Sequence, residues 1–85
     1  MLEDLMIYIN EFESGIEGKI VKMDLIVKII DEISSIMKNF KGGEELIITI
    51  NENLNELFIA MQEKDYMKFL DILKYELLPL IDSSF

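Results

Sequence analysis

The chain has 85 residues, a formal net charge of −9 and an apolar fraction of 51%. Its eight basic residues are all Lys, and it has no His, Cys or Trp, which excludes disulfide scaffolds, thiolate nucleophiles, zinc knuckles and imidazole catalysis. Without Arg or a basic face it lacks the means to grip phosphates, so neither nucleic acid nor an anionic membrane surface is an expected partner.

The apolar residues recur at helical spacing and predict four helices. In the first, Leu2, Leu5, Ile9, Phe12, Ile16 and Ile20 step by three or four and form one stripe. Glu3 and Asp4 suit its positive N-terminal end, and Lys19 and Lys22 its C-terminal end. Gly15 and Gly18 fall inside this run, each costing about 1 kcal/mol relative to Ala. The expectation is a continuous but weakened helix, the alternatives being a break after Ser14 or a close crossing by another helix.

Asp24 is the expected N-cap of the second helix, whose stripe is Ile26, Ile29, Ile30, Ile33, Ile36, Met37 and Phe40. Lys38, Lys41, Gly42 and Gly43 then supply a stop. Glu44 and Glu45 open the third helix, with Ile47, Ile50, Leu54, Leu57, Phe58 and Met61 on its inner stripe. The β-branched run Ile47-Ile48-Thr49-Ile50 has no second strand to pair with, so the helical period decides. Ile48 and Ile59 fall on the far face.

Asp65 is the expected N-cap of the fourth helix, which carries Tyr66, Phe69, Leu70, Leu73, Leu77 and Leu80. Pro79 cannot donate a helical hydrogen bond and biases Leu78 away from helix, so regular structure is expected to end near there. Ser83 and Ser84 read as a frayed tail, with Phe85 free to fold back. A shift of 40 residues aligns Lys28-Ile29-Ile30-Asp31 with Lys68-Phe69-Leu70-Asp71, as a duplicated hairpin would. Against duplication, any two amphipathic helices align in phase, and the first and third helices match poorly.

These elements predict one domain over residues 1–85: an all-α, compact antiparallel four-helix bundle of two helical hairpins, which either closes on itself or is completed by a second copy of the chain. Glu3 and Asp4 stand where a secretory signal would be basic, and no apolar run approaches the roughly 18 residues of a membrane span, so a cytoplasmic protein is expected. Fifteen Ile with abundant Lys, Glu and Asn suit an AT-rich bacterial genome.

Motifs for chemistry are missing. Glu-x-x-His metal pairs, calcium loops, nucleophile elbows and phosphate-binding loops do not occur. Glu52 and Glu56 lie one helical turn apart, a spacing that reads as solvated carboxylates before it reads as a weak cation site. The expectation is therefore no enzyme, no metal and no cofactor.

Residues 65–80, running from Asp65-Tyr66 to Tyr75-Glu76-Leu77-Leu78-Pro79-Leu80, resemble the C-terminal stretch of small uncharacterised acidic helical proteins of clostridia and bacilli. There an Asp-Tyr turn leads into a helix ending in Tyr-Glu-Leu and Pro-Leu, over about a fifth of this chain. That resemblance implies a helical fold and brings no activity with it. In size, acidity and helical content the chain is also similar to the small export chaperones of flagellar type III systems, a likeness of fold alone.

A domain this small buries only roughly 60–65% of its unfolded surface, so a half-apolar chain should keep apolar groups outside. This predicts a non-enzymatic protein-interaction module that self-associates, as a dimer, or shields an amphipathic helix of a partner. Its expected contacts are Ile48, Ile59, Ile72, Tyr75 and Leu78, the last three widening the apolar face of helix four. Of the six Met, Met37 and Met61 read as core, whereas Met6 and Met67 lie beside the stripes, where flexible side chains adapt to partners. The alternative is an acidic inhibitor or antitoxin-like protein that neutralises a basic partner through Glu3, Asp4, Glu11, Glu13 and Glu17, since residues 1–18 hold no Lys.

Overall fold

A computed structural model describes residues 2–82; Met1 and residues 83–85, with the expectations for Ser83, Ser84 and Phe85, lie outside the described residues. The fold is all-α, with no strand among the described residues. The chain divides into two compact units, Met1–Phe40 and Lys41–Phe85. Each is a helical hairpin.

In the first unit, α1 (Leu2–Glu17) packs on α2 (Met23–Lys38). Leu5, Ile9 and Phe12 are buried from α1, and Leu25, Ile26, Ile29, Ile33 and Ile36 from α2. Both sets repeat every three or four residues, so each helix hides one stripe. The N-cap of α2 is Lys22, which makes no side-chain capping bond. Asp24 sits inside the first turn instead, where its charge faces the helix N-terminus rather than capping it.

The continuous first helix expected from the sequence is corrected: α1 stops at Glu17 and the chain reverses. The Lys19 N–H donates to the Ile16 carbonyl at 2.9 Å, and the Ile20 N–H to the Gly15 carbonyl at 2.7 Å. This nested pair is a Schellman turn, with Lys19 in the left-handed position at φ 64°. Gly15 is required by a close approach, because a Cβ there would stand 2.9 Å from the Ile20 carbonyl oxygen. Ile20 therefore leaves the α1 stripe and is exposed.

The second unit reverses in the same way. The third helix, α3 (Glu44–Gln62), ends with the Lys64 N–H donating to Met61 at 3.1 Å and the Asp65 N–H to Ala60 at 2.9 Å. Lys64 holds the left-handed position at φ 58°. Asp65 then caps the next helix as expected, its Oδ1 accepting the Lys68 N–H at 3.2 Å. The β-branched run in α3 is helical, and the Thr49 hydroxyl donates back to the Glu45 carbonyl at 3.0 Å.

From Tyr66 the chain forms α4 (Tyr66–Asp71), a π-helical segment (Ile72–Leu77) and α5 (Leu78–Asp82), with helical dihedrals at both junctions. Both α4 and the π segment pack on α3. The expected end near Leu78 is thus corrected. The Leu78 N–H donates to the Leu73 carbonyl five residues back, and Pro79 falls in the first turn of α5. Pro79 directly follows this π turn, where the regular i to i−4 ladder is already interrupted, so its missing donor is tolerated there. Phe69, Leu70, Ile72, Leu73 and Leu77 are buried on the segments that pack on α3, from which Ile50, Leu57 and Ala60 are buried, and Ile81 is buried in α5.

Gly15→Ala should lower unfolding free energy by about 1–3 kcal/mol, because the overpacking against a backbone carbonyl outweighs the helix-propensity gain. Gly18→Ala, whose Cβ would meet nothing nearer than 3.5 Å, should be neutral or stabilising by up to about 1 kcal/mol. Urea denaturation separates the two, and a Gly15→Ala chain as stable as wild type would contradict the close approach. By the same measurement, Lys19→Gly and Lys64→Gly should each stabilise by about 1 kcal/mol, by relieving a left-handed side-chain residue.

Candidate interaction surface

Ile48 and Ile59 are exposed on α3, as their off-stripe positions predict. Eleven residues apart, they are separated by about 16 Å along the axis, with exposed Glu52 and Asn55 between them, and form no continuous patch. Tyr75 is 69% exposed in the π segment, its ring centroid 5.5 Å from the Lys74 Nζ. Leu78 is half-buried. Ile72 is corrected: only 3% exposed, it belongs to the core. The π turn adds a residue to the repeat, so Ile72 and Leu77, five apart, share the inner face that a regular helix would not give them.

The inner stripe of α3 is also rotated from expectation. Asn53 is buried, the one polar side chain so placed among the described residues, whereas Phe58 is exposed. Met37 and Met61 are half-buried, and Met6 and Met67 are exposed beside their stripes.

Sequence reasoning missed the densest apolar exposure. Ile20, Val21, Met23 and Val27 are all exposed within eight residues, at the turn of the first hairpin and the start of α2. Lys22 and Asp24 lie between them, and Lys19 and Lys28 flank the stretch. The signal was present in Gly15 and Gly18: ending the helix there puts Ile20 and Val21 in a turn, which a continuous stripe conceals.

A second missed feature is a repeat. Glu3-Asp4-Leu5-Met6-Ile7-Tyr8-Ile9-Asn10-Glu11 returns 41 residues later as Glu44-Glu45-Leu46-Ile47-Ile48-Thr49-Ile50-Asn51-Glu52. This corrects the expectation that the first and third helices match poorly. The shift of 40 that fits the second and fourth helices leaves the first and third one residue out of phase, a rotation of about 100°. Ile9 and Ile50 are buried at matching positions, while Ile7 and Ile48 are 52% and 54% exposed.

The five carboxylates of α1 sit on a helix face turned to solvent: Glu3, Asp4, Glu11 and Glu17 are exposed, and Glu13 is half-buried. Two lysines reach the edge of α1. Lys28 Nζ lies 5.7 Å from the centroid of the Tyr8 ring, and the Lys22 stem lies against Gly15. Among the described residues no group of three or more acidic side chains is placed to hold a metal ion, and no helix is long and apolar enough to cross a membrane.

No curated protein and no solved structure matches the chain. One family model does, a domain of unknown function (DUF8042), and it covers residues 1–84. The protein thus belongs, over nearly its whole length, to the DUF8042 family.

Proposed function

We propose that the chain is a non-enzymatic protein-interaction module, which self-associates or covers an amphipathic helix of a partner. The observation that carries this reading is the cluster Ile20, Val21, Met23 and Val27, four exposed apolar side chains in one short stretch. Single exposed apolar residues are ordinary on any protein surface, but a local group of them marks a contact. Burying such side chains in a groove contributes roughly 1.5–3 kcal/mol each when complete, enough for a handful to hold a partner. Ile48, Ile59, Tyr75 and half-buried Leu78 are separate additional contacts; Ile72 is not one.

An acidic inhibitor of a basic protein is the second reading. Residues 1–18 carry five carboxylates and no Lys, and four of the five are exposed. Such binding would weaken steeply with salt, because exposed charges are screened within about 8–10 Å at physiological ionic strength.

Light scattering on the wild type and a Val21→Ser/Met23→Ser/Val27→Ser variant tests the leading reading. The wild type should show a mass above the 9.9 kDa chain that rises with concentration, and the variant should remain monomeric. A wild type that is monomeric at about 1 mM, a concentration at which even weak association registers, and that retains no partner which the variant loses, would contradict it.

A further inference from the structure

We infer that α1 and α3 each present one docking site for a basic amphipathic helix of a partner protein, centred on Ile7 and on Ile48. This rests on the reading of the chain as an interaction module and names the chemistry of its partner. On a helix, the neighbours of a residue are those three and four positions away. Around Ile7 these are Glu3, Asp4, Asn10 and Glu11; around Ile48 they are Glu44, Glu45, Asn51 and Glu52. Both isoleucines are more than half exposed, so each is an apolar centre set in three carboxylates and an amide.

Helix stability does not account for this frame. The acid pairs of the first turns do suit the positive helix N-termini. That effect fades within one turn, and it gives no reason for an outward isoleucine or for the Asn-Glu pair that follows. Packing gives no reason either, since Phe12 and Asn53 occupy equivalent buried positions while the outer frame stays the same.

The frame selects its occupant by charge. An apolar side chain flanked by Lys or Arg would cover the isoleucine and meet the carboxylates, and the net charge of −9 would steer such a segment toward the chain. A second copy meeting this frame with its own identical frame would oppose carboxylates to carboxylates.

Calorimetric titration of the full chain with a synthetic Leu/Lys amphipathic peptide tests the inference, with a Leu/Glu peptide of the same apolar pattern as control. Two Leu/Lys peptides should bind per chain, and the Leu/Glu peptide should not bind. Ile7→Ser and Ile48→Ser should each weaken one site by about tenfold or more, as expected for losing an aliphatic contact, and the double variant should lose both. Glu3→Gln/Glu11→Gln should weaken one site, whereas Asp71→Asn/Glu76→Gln, outside both frames, should weaken neither. Circular dichroism of each variant confirms folding.

Binding that survives both serine substitutions, or that falls equally in the Asp71/Glu76 variant, would reduce the effect to general attraction of a polycation and overturn the inference. So would a chain mass that depends on Ile7 or Ile48, which would make a second copy the occupant. The turn residues 20–27 are untouched by these variants, so failure here is distinguishable from failure of the self-association test.

Discussion

The passage of the Ile20 carbonyl over Gly15 shapes the first hairpin and its surface. With a Cβ at residue 15 the chain could not turn back where it does, because the oxygen lies 2.9 Å from that position. The turn ends α1 at Glu17, takes Ile20 off its stripe and starts α2 at Met23. Ile20, Val21, Met23 and Val27 come to the surface as a result. Exposure at the turn is therefore a consequence of backbone geometry, not a surplus of apolar residues scattered at random.

The second hairpin solves the same problem with fewer residues. Asp65 closes the Schellman turn with its backbone N–H and caps the next helix with its side chain. No apolar residue stands in that turn, and the apolar exposure of this unit is distributed along α3 and the rod from Tyr66 onward. Both units nevertheless open on the same acidic nine-residue pattern with an outward isoleucine.

Helix content and pairing were legible in the sequence because the stripes of α1 and α2 have a clean period and Asp65 is a strong cap. The end of α1 was not, since an apolar residue at position 20 fits a helical stripe as well as it fits a turn. The close approach that decides between them joins residues five apart and leaves no periodic trace. Pro79 misled for a related reason: it signals a missing donor, but not that a π turn directly upstream already interrupts the regular ladder. The same turn drew Ile72 inward and left Tyr75 and Leu78 apart from it. The exposure of Ile48 and Ile59 was legible from the helical period alone. The repeat behind Ile48 was hidden by a one-residue difference in helix phase.

The proposed contact at the first hairpin's turn is tested by a photo-crosslinking amino acid placed at position 23 in cells that naturally express the chain, with position 71 as control. Met23 is exposed within the apolar cluster, and Asp71 is exposed outside it. A contact at the turn gives a discrete protein adduct from position 23, to a second copy or to one partner, and none from position 71. No adduct at position 23, or the same adducts from both positions, would contradict it.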